Sequence, residues 1–222
     1  MNFKRLLNFL SKLSKNNTKE WFESNRKEYE DLRGEFLLFL DKAIVDMAKF
    51  DPQITGIEAK KTTFRINRDV RFSPNKRPYK ANFGASIKAD GKKSSFAGYY
   101  FHVEPGKSFL AGGLYLPDAP ILQKVREEID YNENDFRKIL SNKSFKTYFK
   151  TLQGDQLKNP PKGFDKEHTA IDLLKYKSYL MVHSLSDKDL MDPSFEKKML
   201  LVFKAMLPLI HYLNKAISYT QE

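Results

Sequence analysis

Cationic side chains are concentrated in one stretch of the chain, between residues 60 and 93. This stretch holds eleven Lys or Arg residues against Asp69 and Asp90, and so carries nine of the eleven net positive charges of the protein. Its centre, residues 64–83, reads FRINRDVRFSPNKRPYKANF. A guanidinium group binds two oxygens of a phosphate or carboxylate at once, and an ammonium group adds a point charge. The sequence therefore predicts a binding site for an anionic ligand.

Residues 73–80, SPNKRPYK, include two prolines and one asparagine, which favour a rigid and well-defined loop. Asp69 is expected to orient an arginine, and Tyr79 to donate its hydroxyl or to stack on a base. The ligand is predicted to be a small anion, a nucleotide or a nucleic acid. The predicted ligand-binding residues are Arg65, Arg68, Asp69, Arg71, Asn75, Lys76, Tyr79 and Lys80.

The position of Arg68 limits how this segment can form a strand. If residues 64–72 form a strand, Arg68 shares a face with Ile66 and Val70, where an unpaired guanidinium group is costly. Either the strand ends near Asn67, or Arg68 contacts a carboxylate or a bound anion.

A structural or interaction role remains a competing interpretation of the same charges. Arg65, Asp69 and Arg71 would then form a surface ladder of ion pairs, each stabilising the protein by roughly 0–1 kcal/mol. Other internal partners would be Glu127, Glu128 or Asp172, and a simple solvated run of charges is a further alternative.

A second candidate group lies on a predicted strand, where Tyr100, His102 and Glu104 alternate on one face. Histidine is the side chain whose ordinary pKa suits proton transfer near neutral pH. An enzyme acting on the anionic ligand, with Asp69, His102 or Glu104 as acid or base, is therefore an alternative function. The catalytic residues stay unassigned, because no nucleophile is evident. The simpler interpretation places His102 on a half-solvated sheet face.

The sequence favours neither a metal nor a cofactor. The four histidines show no metal-ligand spacing and cysteine is absent, so we expect no transition-metal site. Phosphate-binding glycine loops and dinucleotide fingerprints are also missing, and no cofactor is predicted.

The segment RINRDVRFSPNKRPY resembles the signature of a bacterial family of conserved hypothetical proteins, domain-of-unknown-function family 2461. That signature is R-x-x-R-D-x-R-F followed by N/D-K-x-x-Y. The blocks NNTKEWF, GYYFHVEPGKSFLAGGLY and PPKGF are also similar to the family, so the resemblance covers most of the chain. It implies a single domain built around this loop and brings no activity with it.

The elements that must position these residues follow from hydrophobic periodicity. Helical spacing predicts a first helix from Phe3, a second capped by Asn17 with a break near Gly34, helices from Asp118, a short helix capped by Thr169, and a last helix opening at Asp192-Pro193. Alternating patterns predict strands from about residue 57 through LAGGLYLP, with turns at Asp90-Gly91 and at EPGK. A last strand is predicted at SYLMVHSLS.

We therefore predict one α+β domain spanning residues 1–222. Its mainly antiparallel sheet of about four to five strands should pack against the N-terminal and C-terminal helices. At 41% hydrophobic and 14% aromatic residues, the chain can build a continuous core. No apolar run reaches the roughly 18 residues of a membrane span, so we predict a soluble protein without a membrane partner. The absence of cysteine suits a reducing cytoplasm, where we expect the protein to be located. The oligomeric state stays open.

Overall fold

Four strands form one antiparallel sheet in the order β1–β2–β3–β4 in this computed structural model, which describes residues 1–218. Residues 89–97 connect the first two strands, and a tight turn connects the second to the third. In this turn, the predicted EPGK turn, Lys107 N donates to Glu104 O at 2.9 Å. Gly106 takes a positive φ of 69° there, a conformation that glycine adopts without strain. The strands are β1 Phe83–Lys88, β2 Gly98–Val103, β3 Ser108–Leu114 and β4 Tyr179–Leu185.

Ten α-helices surround the sheet within the described residues, so the predicted α+β class with terminal helices is confirmed. A short 3₁₀ turn at Pro52–Ile54 follows the third helix. The helices are α1 Phe3–Lys15, α2 Lys19–Ser24, α3 Arg26–Ala48, α4 Ala59–Thr62, α5 Ala119–Tyr131, α6 Glu133–Ser141, α7 Lys143–Tyr148, α8 Ile171–Leu174, α9 Asp187–Met191 and α10 Phe195–Ser218.

The two faces of the sheet differ in composition because side chains alternate along each strand. One face carries Tyr99 and Phe101 of β2, which are buried against helices α1, α3 and α10. Gly112 of β3 lies on this face, where a Cβ atom would come within 2.5 Å of Met206 Sδ on α10. The opposite face carries the half-buried Tyr100, His102 and Phe109.

The predicted strand over residues 57–72 is wrong. The chain forms the short helix α4 and then makes two isolated pairings, Thr63 with Ala85 and Asn67 with Tyr79. The second pairing turns the segment back on itself. Because the segment pairs with its own continuation, Arg68 does not lie on the apolar face of a strand.

Three helix boundaries also differ from prediction. α3 continues through Gly34, since buried apolar residues on both sides of this exposed glycine hold the helix together. Thr18, not Asn17, caps α2 by accepting a hydrogen bond from Trp21 N. Thr169 does not cap α8, and its hydroxyl donates to Glu133 Oε2 at 2.6 Å instead.

Helix α10 is long and apolar because it is a core element. Among the described residues it is the one helix that length and composition would allow to cross a membrane, and 56% of that window is buried inside the protein. It begins at Phe195, after a turn in which Asp192 Oδ1 accepts hydrogen bonds from Ser194. Its buried residues cover the middle of the sheet.

A buried carboxylate joins three distant parts of the chain. Asp51, only 1% exposed, follows α3 and accepts a hydrogen bond from Tyr99 Oη of β2 at 2.8 Å. The Nε2 atom of His211 on α10 lies 3.3 Å from its other oxygen. Burial and the charge of Asp51 raise the pKa of Tyr99 well above its usual range. Asp51 therefore ties a helix end, the sheet and α10 together.

Replacing this carboxylate should destabilise the fold. We expect Asp51→Ala to lower the free energy of unfolding by about 2–4 kcal/mol, because buried hydrogen-bonding groups lose their partner. Urea denaturation at pH 7 measures the change. Asp46→Ala removes a surface carboxylate paired with Lys49 and should change the same quantity by less than about 0.5 kcal/mol. Equal effects of the two substitutions would contradict the role of Asp51.

Candidate functional site

The basic segment folds into a hairpin-shaped loop, residues 65–80, which we call the basic hairpin. At its base Arg68 N donates to Pro78 O and Lys80 N donates to Ile66 O, both at 2.8 Å. Ile66 is buried below this pairing. The base is thus a short antiparallel ladder with an apolar anchor, and the charged residues project beyond it.

Asn17 and Phe22 fasten the hairpin to the helices. The Asn17 side chain donates to Tyr79 O at 3.1 Å and accepts from Tyr79 N at 3.0 Å. The Tyr79 ring stacks on Phe22 with centroids 4.1 Å apart, and Tyr79 is only 6% exposed. Burial raises the pKa of the Tyr79 hydroxyl. Tyr79 therefore anchors the loop and does not offer its ring to a ligand base.

Polar groups of the hairpin hold its tip in shape. Lys76 Nζ donates to Val70 O at 3.1 Å, and the Asn75 side chain accepts from Arg77 N at 3.1 Å. Asp69 accepts two hydrogen bonds from the Arg71 guanidinium, at 2.7 and 3.0 Å. The expected orienting role of Asp69 toward an arginine thus has a geometric counterpart. Arg71 in turn holds the pKa of Asp69 below its usual range.

Most of the predicted cationic ligands pair with no carboxylate among residues 1–218. Among the described residues, the Asp69–Arg71 pair is the one ion pair within the basic hairpin. Arg68 donates to Arg77 O at 3.2 Å and to Ser73 Oγ at 3.4 Å, so its guanidinium meets neutral acceptors. Arg65 and Lys80 form no ion pair with any described carboxylate. The three proposed internal partners pair elsewhere, Glu127 with Gln123, Glu128 with Lys215 and Asp172 with Arg137.

Phe72 is a candidate functional residue that sequence reasoning missed. It is 94% exposed at the hairpin tip, with the Arg71 guanidinium 5.8 Å from its ring centroid. In the strand considered for residues 64–72, Phe72 would share the apolar face of Ile66 and Val70, but that strand does not form. Its position between Arg71 and the cationic loop 73–80 was the available signal in the sequence, since an aromatic ring in such a loop can stack on a nucleobase.

A second group of cations surrounds Phe64, beside the base of the hairpin. The ammonium groups of Lys80 and Lys92 lie 5.5 and 5.6 Å from the Phe64 ring centroid. Partial burial lowers the pKa of Lys80, and the nearby positive charges of Arg65 and Lys92 lower it further. These cations repel one another at a place where an anion would relieve the repulsion.

The predicted group on β2 does come together. Tyr100 Oη lies 3.1 Å from His102 Nδ1, and His102 Nε2 lies 3.1 Å from Glu104 Oε2. Phe109 stacks on His102 with centroids 4.6 Å apart. Burial raises the pKa of Tyr100, and the charge of Glu104 adds to the effect. Asp69, the third proposed acid or base, makes no described contact with these residues.

Glycine 84 makes room for this arrangement. A Cβ atom at Gly84 would lie 2.6 Å from Tyr100 Oη, so the hydroxyl occupies the space that a side chain would take. The edge of the Phe64 ring contacts the Tyr100 ring, with centroids 6.2 Å apart. Phe64 thus contacts both the cations of the hairpin base and the Tyr100 ring.

At the base of the basic hairpin, Phe64 and Ile66 line a concave region of only about 10 Å³. Two of the larger concave regions lie elsewhere, one of about 620 Å³ beside Phe3 and Leu190 and one of about 640 Å³ between α3 and α10. A group of three or more His, Asp or Glu side chains able to hold a metal is not found in residues 1–218. The site thus suits a ligand that lies along the surface.

The fold and site define an α+β protein whose four-stranded antiparallel sheet carries an anchored basic hairpin. The chain belongs to the family of conserved hypothetical proteins DUF2461, which matches residues 5–212. The resemblance seen in the sequence is therefore confirmed. A comparison with curated proteins found no significant match, and neither did a comparison with solved structures.

The Asn17 contact should be needed to fix the hairpin. We expect Asn17→Ala to lower the free energy of unfolding by about 1–3 kcal/mol, because two hydrogen bonds to the Tyr79 backbone are lost. The Tyr79 amide should also exchange its hydrogen faster, which hydrogen-exchange NMR measures. Asn16→Ala, which removes an exposed bond to Lys12 O, should leave that amide protected. Unchanged Tyr79 exchange in Asn17→Ala would refute the anchoring role.

Proposed function

We propose that the protein binds single-stranded nucleic acid through the basic hairpin and the cations at its base. The observation that carries the proposal is the set of cations without carboxylate partners on an anchored loop that also exposes Phe72. Arg65, Arg68 and Lys80 would contact phosphates, and Phe72 would stack on a base.

The shape of the surface favours a polymer over a mononucleotide. A small ligand usually binds in a concave pocket that buries most of its surface. The hairpin offers instead several exposed cations and one exposed ring, Phe72. Successive phosphates of a strand could contact these cations, and each phosphate contact would release counterions.

The exposed ring favours a single strand over a duplex. In a duplex the faces of the bases are stacked on one another, whereas an unpaired base can stack on an aromatic side chain. We place this activity in the cytoplasm, where a basic protein meets RNA. The predicted roles of Asn75 and Lys76 become structural in this proposal, since both shape the tip.

Binding should depend steeply on salt and on the hairpin charges. Fluorescence anisotropy with a labelled single-stranded oligonucleotide should give an affinity that falls with salt, with a slope of about −0.7 in log K against log salt for each phosphate contacted. The double variant Arg65→Gln/Lys80→Gln should bind more weakly and reduce the steepness of the slope by about 1.4, because it removes two of the proposed phosphate contacts.

The double variant Lys138→Gln/Lys143→Gln, on α6 and α7, provides the control. It removes the same net charge at a distance from the hairpin, so its affinity should stay near that of the unmodified protein. Equal losses for both double variants would mean that net charge alone drives binding. Absence of binding at low salt would remove nucleic acid as the ligand.

The Phe72 ring should contribute independently of charge. We expect Phe72→Ala to weaken oligonucleotide binding by roughly fivefold to a hundredfold with an unchanged salt slope, because base stacking on an aromatic ring is worth about 1–3 kcal/mol. Tyr131→Ala removes another exposed aromatic residue, on α5, and should leave the affinity unchanged. If Phe72→Ala binds as well as Tyr131→Ala, then Phe72 does not stack on the ligand.

A further inference from the structure

Tyr100, His102 and Glu104, on the half-buried face of the sheet, form a chain of polar contacts that we call the relay. Nucleic-acid binding alone does not require it. A neutral His102 can form both hydrogen bonds at once. The Tyr100 hydroxyl then donates to Nδ1, and the Nε2 hydrogen is donated to Glu104. A hydroxyl, an imidazole and a carboxylate stand in this order in nucleophilic triads. The carboxylate fixes the tautomer, and the imidazole faces the hydroxyl as a base.

The surroundings hold the three groups in place before any ligand arrives. Phe109 stacks on the His102 ring, and the missing side chain of Gly84 leaves space for the Tyr100 hydroxyl. The His102 side chain is only 12% exposed and that of Glu104 is 29% exposed. A nucleophile and its base kept in fixed geometry lose little entropy on reaction.

The Phe64 ring links two cations to Tyr100. The Phe64 ring contacts Tyr100, and the Lys80 and Lys92 ammonium groups lie against the Phe64 ring. A phosphate group near the Tyr100 hydroxyl would therefore meet positive charge, which also stabilises the negative charge that develops on phosphoryl oxygens during displacement. This charge selects a phosphate ester over a carboxylic ester as the reacting group.

We propose that Tyr100 is the nucleophile of a phosphodiester-cleaving site, with His102 as its base, Glu104 as the positioning residue of His102, and Lys80 as the acid for the leaving group. The proposal rests on the proposed function, because the substrate is the bound nucleic-acid strand. In this proposal the sheet face carries out the chemistry, and the basic hairpin holds the nucleic-acid strand.

In the first step Tyr100 Oη forms a bond to phosphorus while the bond from phosphorus to the leaving oxygen breaks. The phenolic proton passes to His102 Nδ1, and Lys80 gives a proton to the leaving oxygen. Two separate groups are needed because the leaving oxygen departs opposite the nucleophile. The products are a phosphotyrosyl diester and a free hydroxyl end, and no electrons are exchanged with an oxidant.

In the second step water attacks phosphorus from the side that the leaving group vacated. The neutral Lys80 amine takes the proton of water, and the imidazolium of His102 returns its proton to Tyr100 Oη as the phosphotyrosyl bond breaks. Both residues regain their starting charge. The lowered pKa of Lys80 suits a group that must release and regain a proton, and the raised pKa of Tyr100 explains why it needs a base.

The full chain can be tested with a labelled single-stranded oligonucleotide and with bis(4-nitrophenyl) phosphate, both in the presence of EDTA. We expect cleavage of both probes and a covalent adduct that mass spectrometry of the acid-quenched protein locates on Tyr100. Tyr100→Phe should lose the adduct and at least about a hundredfold of the rate, while binding the oligonucleotide within about twofold of the unmodified protein. Tyr115→Phe, at the exposed end of β3, should change neither quantity.

Two further variants separate the proposed roles. At saturating oligonucleotide, where weaker binding no longer limits the rate, Lys80→Gln should slow cleavage of the oligonucleotide much more than cleavage of bis(4-nitrophenyl) phosphate, whose leaving group needs no acid. Glu104→Gln should lower the rate and change its pH profile, because the His102 tautomer is no longer fixed by a charge. A purely structural Glu104 would alter thermal stability without altering the pH profile.

The outcomes are decisive for each proposal separately. Oligonucleotide binding without turnover of either probe, or full turnover by Tyr100→Phe, overturns the assignment of Tyr100 and leaves nucleic-acid binding intact. Turnover of bis(4-nitrophenyl) phosphate that depends on Tyr100, without oligonucleotide binding, supports the assignment of Tyr100 and refutes nucleic acid as the ligand.

Discussion

Two hydrogen bonds between the Asn17 side chain and the Tyr79 backbone are the constraint on which the candidate site depends. Cations that lack carboxylate partners repel one another, and a free loop would relieve this repulsion by spreading. The Asn17 amide, the stacked pair of Phe22 and Tyr79 and the buried Ile66 prevent that movement. The energy that holds the charges together is therefore supplied by packing and hydrogen bonding below them.

The distribution of ion pairs shows how distinct this surface is. Arg137 lies between Glu133 and Asp172, and their carboxylates raise its pKa above the usual range. Arg5 similarly lies among several carboxylates of α3. In the basic hairpin, Arg68 has only a carbonyl and a hydroxyl as acceptors. Outside residues 60–93 the cationic and acidic side chains nearly balance in number, whereas this stretch carries nine of the eleven net positive charges, which concentrates the positive field on one surface.

Hydrophobic periodicity was sufficient to predict the fold class, most helices, the EPGK turn and the strands from Phe83 onward. It failed for residues 57–72, because alternation of apolar and polar residues does not reveal whether a segment pairs with the sheet or with itself. The same error concealed the exposure of Phe72. The contact of Asn17 with Tyr79 joins residues far apart in the sequence, so a local capping rule misassigned this asparagine.

The relay on β2 was only partly predictable. Alternation along a strand places Tyr100, His102 and Glu104 on one face, and this placement is confirmed. The sequence could not show that Tyr100 would lean over Gly84 and so bring its hydroxyl to His102. It grouped Asp69 with these residues by chemical type alone, and the hairpin instead engages Asp69 with Arg71.

The position of α10 has a consequence for how the chain acquires its structure. Strands β1 to β3 lie close together in the sequence and can pair early. Helices α1 and α3 precede them and can cover Phe101, but Tyr99 stays exposed to water until residues 195–218 reach it. Contacts across so many residues form slowly. During synthesis the nascent sheet would therefore expose apolar side chains to water for a long interval. Chaperones would be needed most during that interval.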